Sequence, residues 1–148
     1  MSKVETLLAL FALISLAAYL VGGAPERFLG VVFLVWIPLD RIEHRLFGSP
    51  TYLRVDPFHL ATDTAVFVLL VWLALRANRI WPLWAAAAQV MTFFGHIVAL
   101  LEQGGLNHAY WAMTQVPPYI QLTALVCGAA FHERRFRRIG HYRSWRLS

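Results

Sequence analysis

The stretch VDPFHLATDTAVFVLLVWLAL, residues 55–75, decides the fold. Asp56 is a good N-cap and Pro57 a good first helical residue, and the apolar run behind them continues to Leu75. A helix of that length extends roughly 30 Å, the thickness of a bilayer's hydrocarbon core. His59 and Asp63 stand four apart on one face of it. They lie at the edge of hydrocarbon, where such groups are costly. The stretch therefore predicts a membrane helix with a polar shoulder that needs partners.

The rest of the chain agrees with a membrane setting. Of 148 residues 59% are hydrophobic and 14% charged, against roughly a quarter charged in ordinary globular chains. Mean hydropathy is +0.56. One domain, residues 1–148, is the expectation from length. The net charge of +5 gathers at one end, which is not the footprint of a nucleic-acid binder. The single cysteine, Cys127, excludes an internal disulfide and a cysteine-based metal cage. Its apolar surroundings predict a buried thiol.

Working outward, PLWAAAAQVMTFFGHIVALLE predicts a second spanning helix from Pro82 to about Glu102, stopped by Gly104 and Gly105. RANR is the turn before it. A helix from about Val4 to Val21 ends at Gly22 and Gly23, with Ala12, Ser15, Tyr19 and Gly22 as its packing stripe. That segment also has the layout of a secretory signal. Tyr19 within the apolar run and the weakly basic start favour a retained helix. Phe28 to Leu39 is apolar for only twelve residues. It spans only by continuing through Asp40, Glu43 and His44 to Phe47 with a kink at Pro38, and is otherwise re-entrant. GSPTYLRV follows as a short loop. The last helix starts near Asn107 or His108 and ends near Phe131. Pro117 and Pro118 predict a kink or break in it, with Thr114 and Gln115 nearest to the freed backbone groups. The architecture is an all-α transmembrane bundle of five spans, or four plus a re-entrant segment.

The tail, residues 132–148, holds Arg134, Arg135, Arg137, Arg138, Arg143 and Arg146, which predicts a cytoplasmic C-terminus. A five-span arrangement puts Lys3 outside and Arg27 inside, and a four-span one reverses them. Both leave nine Lys and Arg inside and four outside, so charge does not choose. Phe136, Ile139, Tyr142 and Trp145 recur about every third residue among these arginines. That suits an amphipathic helix anchored on anionic lipids. Trp81, Trp84, Trp111 and Trp145 suit interface belts. His108 and His132 sit at helix ends, where solvation is the default.

Depth matching across the tight turn brings His59 and Asp63 level with Gln89, Thr92 and His96, which share one face with Gln103. Thr114 and Gln115 start from the same side. Three readings follow. Interhelical hydrogen bonding makes the chain a non-enzymatic accessory, scaffolding or sensing protein, with a protein partner or second copy. His59, Asp63, His96 and His44 are ligand types for zinc or iron, and two histidines could hold haem. Intramembrane Asp and His also mark proton or ion paths, here requiring an oligomer. No cofactor is favoured, and no nucleophile elbow or phosphate loop is present.

DPFHLATD, LRANRIWPLWAAAAQ, FGH and AYWAMTQVPPY resemble a group of small integral membrane proteins of sphingomonad-like alphaproteobacteria, over residues 55–135. The resemblance implies a helical bundle in the bacterial inner membrane. It brings no activity, cofactor or catalytic residue.

Overall fold

The computed structural model describes residues 3–48, 55–101 and 107–146, and these are helical apart from short turns and an extended end. In chain order the helices are α1 Lys3–Val21, α2 Ala24–Phe47, α3 Pro57–Arg76, α4 Trp81–Leu101, α5 Asn107–Gln115 and α6 Pro117–Ile139. Most of the expected loop at 48–55, and all of Glu102 to Gly105, lie outside the described residues. Two helices, α3 and α4, are long and apolar enough to cross a membrane, and Glu5–Val21 is a shorter apolar stretch.

Local chemistry sets the boundaries. Asp56 Oδ1 accepts hydrogen bonds from the amides of Phe58 (2.8 Å) and His59 (3.4 Å), and Pro57 follows. At the far end of α3 the chain turns extended at Ala77. The last helix breaks at Val116 into α5 and α6, because Pro117 and Pro118 donate no hydrogen bonds. Thr114 does not serve the break as expected. Its hydroxyl donates to the Tyr110 carbonyl (3.0 Å), a turn earlier.

The helices close into a ring in which α4 packs on α3, α5 and α6, α1 on α2 and α6, and α2 on α3 and α6. On α3 one face carries His59 and Asp63 and then the buried Val66, Leu70 and Leu73. On α4 the matching face runs Trp81, Ala85, Gln89, Thr92 and His96, all buried. Leu29, Leu70, Leu73 and Leu125 are fully buried and form the middle of the core. Two glycines let backbones approach. A Cβ on Gly30 would sit 2.7 Å from the Ser15 carbonyl oxygen, and one on Gly128 2.6 Å from the Trp81 indole.

Several expectations are corrected. Tyr19 points outward, and α1 packs through Ser15, Ala18 and Gly22 instead. Cys127 is exposed, because α6 buries Gln121, Leu122, Leu125 and Gly128, a face that excludes it. The chain from Phe28 to Phe47 follows the continuous alternative of the two expected, within one helix of 24 residues, about 36 Å long, with Pro38 inside it. The tail forms no separate surface helix. α6 runs on to Ile139 and stops at Gly140, whose φ of +71° is the left-handed region. The chain then returns along the α3–α4 turn. The Asn78 amide donates to the Ser144 carbonyl (3.0 Å), and the Arg146 amide to that of Arg76 (2.8 Å). Trp145 packs at a tilt against Trp72, with ring centroids 5.7 Å apart.

Candidate functional site

Polar groups collect at two opposite ends of the bundle. At the end holding the start of α3, five side chains form a continuous hydrogen-bonded chain across four helices. His96, 1% exposed, has Nε2 2.8 Å from Asp63 Oδ2 and Nδ1 2.9 Å from the Tyr110 hydroxyl. In the neutral ring one nitrogen carries the proton and the other accepts, so either tautomer uses both contacts. Gln89 Nε2 donates to the Asp63 carbonyl (3.0 Å) and to its Oδ1 (3.3 Å). Gln121 Nε2 donates to Gln89 Oε1 at 2.5 Å. Both ring nitrogens of His96 are thus engaged, and the ring has no lone pair to offer a haem iron without breaking the chain. The two-histidine haem arrangement does not fit it.

One turn toward the surface, His59 joins a different set. Its Nε2 lies 3.5 Å from Asp40 Oδ1, and its Nδ1 lies 3.5 Å from Asp56 Oδ2 and 3.7 Å from Glu43 Oε2. His44 stands edge-on to it, ring centroids 5.3 Å apart. The His44 Nδ1–H donates to the Asp40 carbonyl (2.7 Å), which leaves Nε2 with its lone pair. Glu43 is 1% exposed, with no donor from another residue on either carboxylate oxygen among the described residues, and its carboxyl is set against that of Asp56, with which it can share a proton. His59 Nδ1 is likewise buried without a hydrogen bond. Burial pushes the Asp56 carboxyl up, and the Phe58 amide, the Glu43 side chain and the His59 amide more than offset that, holding it below the usual carboxylate range.

The expected ligand quartet of His44, His59, Asp63 and His96 is therefore divided. The spacing that puts His59 and Asp63 on one face also puts them one turn, about 5–6 Å, apart along the axis, so each finds its own partners. Two overlapping groups bring ligand atoms within 4.8 Å of one another, Asp40–His44–His59 and Glu43–Asp56–His59. Both sets still border one cavity of about 570 Å³, where Asp40, Asp56, His59, Asp63, His96 and Tyr110 face the same space. Thr114, Gln115 and Arg41 also line it. Thr92 is buried on α4, but its hydroxyl has no partner among the described residues and it does not reach the cavity.

The opposite end holds a group that sequence reasoning missed. Glu26, 0% exposed, accepts from the Trp81 indole (2.7 Å) and lies 3.1 Å from Arg79 Nε. Arg79 also contacts His132 Nδ1 (3.1 Å), bonds the Tyr142 hydroxyl and stacks on its ring. Trp81 is thus a buried anchor rather than a belt residue. His132 is half-buried instead of solvated, with Nδ1 2.7 Å from the Tyr142 hydroxyl. Burial holds its imidazole below the ordinary value, with Glu26 opposing and Arg79 reinforcing the shift. Among the tail arginines, Arg134, Arg135, Arg137, Arg138, Arg143 and Arg146 are all exposed, and Arg137 pairs with Glu133 at 2.6 Å.

No family, curated protein or solved structure matches this chain.

Proposed function

We propose that this protein is a multi-pass inner-membrane protein that binds a divalent transition-metal ion, zinc or ferrous iron, at the His59 group. The observation that carries the reading is Glu43. A carboxylate this deeply buried and set against a second acid costs several kcal/mol unless a cation, or a proton shared with Asp56, meets it. Around it stand two more carboxylates, Asp40 and Asp56, and two imidazoles, His44 and His59. A mixed nitrogen and oxygen donor set of this kind suits zinc or iron. Among the described residues Arg41 is the one arginine bordering the cavity, against the three carboxylates of Asp40, Asp56 and Asp63, with Glu43 close to Asp56 and His59, so the site favours a cation.

Five spans are supported by two features. Both the α1–α2 turn and the α3–α4 turn reach the tail end, since Glu26 pairs with Arg79. That gathers Arg27, Arg76 and Arg79 with the tail arginines on one side, the cytoplasmic side by charge bias. Outward-facing Leu10, Leu13, Val35, Val68, Leu75, Leu100 and Val126 are suited to lipid on every long rod of the ring. In this arrangement the last span ends at Phe131 and the cavity opens on the outer face.

The Tyr110–His96–Asp63–Gln89–Gln121 chain favours a second reading for its own residues, an interhelical tie in a scaffolding or accessory protein. A proton path through one chain has less support, because Leu70, Leu73 and Leu125 fill the middle of the bundle below Gln121. Metal content of protein purified in mild detergent without chelator tests the proposal. Wild type should carry about one zinc or iron per chain, and His59→Ala and Glu43→Gln should each lose it. Metal-free wild type, purified from cells grown with both metals, refutes the metal reading and leaves the tie.

A further inference from the structure

At the tail end a groove of about 890 Å³ runs between α4 and α6. Its two ends differ in chemistry. The upper end presents Arg135 and Arg146, both exposed, and neither is paired with a carboxylate among the described residues. The Arg135 guanidinium is steadied 4.3 Å over the Tyr142 ring, and the position of Arg146 is fixed by its own backbone bond to Arg76. Arg79 also borders the groove, but its charge is already met by Glu26. From beside Arg135 downward the groove is walled by Phe131, Trp84 and Ile120, with Trp84 and Phe131 each 66% exposed.

Along α6, Phe131 to Ile120 covers about 16 Å. That matches one leaflet of hydrocarbon, about 15 Å deep. A ligand for this groove needs a phosphate-like anion at one end and an alkyl chain of leaflet length at the other. We infer that the groove between α4 and α6 is a binding site for one anionic phospholipid, with its phosphodiester on Arg135 and Arg146 and an acyl chain against Trp84, Ile120 and Phe131. Guanidinium forks match phosphate oxygens better than a diffuse field of charge does, so the site selects headgroup charge and position together. The inference rests on the membrane reading and is independent of the metal.

Cys127 lines the groove wall, is exposed, and is the chain's single cysteine, so it takes a fluorescent label there without any substitution. The labelled protein is placed in phosphatidylcholine nanodiscs, and a lipid with brominated acyl chains is titrated in as the quencher. Brominated phosphatidylglycerol should quench at a mole fraction roughly tenfold lower than brominated phosphatidylcholine. Arg135→Gln with Arg146→Gln should erase that preference. Arg138→Gln, an exposed arginine of α6 outside the groove, should keep it. Soluble glycerol phosphate should not compete.

Equal quenching by the two lipids in wild type overturns the site. So does an equal loss in Arg138→Gln, which would mean a general surface charge. Competition by glycerol phosphate would make this a soluble phosphate site and overturn the lipid assignment. Quenching by neither lipid would take α6 out of the bilayer and overturn the membrane reading with it.

Discussion

Replacing Arg79 by methionine should cost this protein more than any other single change at the tail end. Glu26 is fully buried, with Arg79 Nε 3.1 Å from its Oε1 and the Trp81 indole as its hydrogen-bond donor. Methionine has a similar apolar reach but no charge, so the carboxylate would be left with Trp81 alone. Removing one member of a buried ion pair typically costs about 3–5 kcal/mol. The His132 and Tyr142 contacts of Arg79 would be lost as well. Glu26→Gln in the same chain should recover most of that loss, because glutamine still accepts from Trp81 and needs no counter-charge. Reversible SDS unfolding in mixed micelles, followed by far-UV circular dichroism, gives the free energies for the full double-mutant cycle. The coupling between the two positions should be at least about 2 kcal/mol. A loss under about 1 kcal/mol in Arg79→Met, or additive losses in the double variant, would refute the assignment of this pair as a structural clamp.

Three further outcomes are expected. Gly128→Val drives a side chain into the Trp81 indole, whose position is fixed by Glu26. It should cost about 1–3 kcal/mol in the same unfolding assay, and a neutral result would mean that α4 and α6 are not in contact there. Tyr110→Phe removes one hydrogen bond from His96 and should cost about 0.5–1.5 kcal/mol. His96→Leu strips the buried Asp63–Tyr110 link at both ends and should cost clearly more; equal effects would show that the chain is not cooperative. The third concerns pH. His132 is held below its ordinary value by burial, so the unfolded chain binds a proton near pH 6.5 before the folded one does. Its contribution is complete above that pH. It is lost as pH falls through and below 6.5, and levels off once the folded imidazole is also protonated. Unfolding midpoints from pH 8 to 5 should show this loss in wild type and a smaller one in His132→Asn, and parallel curves would remove His132 from the tail-end clamp.

Features carried by adjacent residues were legible in the sequence, and features set by the register between helices were not. The start of α3 follows from Asp56 and Pro57 side by side, and the break at Val116 from two prolines in a row. Counting apolar residues undervalued α2, because Asp40, Glu43 and His44 interrupt the run yet turn toward His59. The three-residue spacing of Phe136, Ile139, Tyr142 and Trp145 is helical, but Gly140 in the middle of it was the stop signal. Uniformly apolar helices carry little amphipathic contrast, so the outward turn of Tyr19 and Cys127 had no local signature. Gln121 did have one, a lone amide in the apolar run of α6, and its partner Gln89 was already in view. Arg79 reads locally as part of the RANR turn, and its pairing with Glu26 depends on how the α1–α2 and α3–α4 turns meet, which no local pattern encodes.

The two ends of the bundle bury the same side chain and treat it in opposite ways. Glu26 and Glu43 sit on one helix, seventeen positions apart in sequence, and both are withdrawn from solvent. Glu26 has a guanidinium and an indole N–H at contact distance of Oε1, while its Oε2 makes no hydrogen bond among the described residues. Glu43 has two more acids nearby, and its cationic neighbours are imidazoles at 3.3 and 3.7 Å that charge only when protonated. If both glutamates served only to hold helices together, an apolar residue or an arginine partner near Glu43 would do so at lower cost. The chain shows at Glu26 that it can supply such a partner. Leaving Glu43 among acids and imidazoles, next to the Asp56 and His59 that line a cavity, suits a charge that arrives with a ligand.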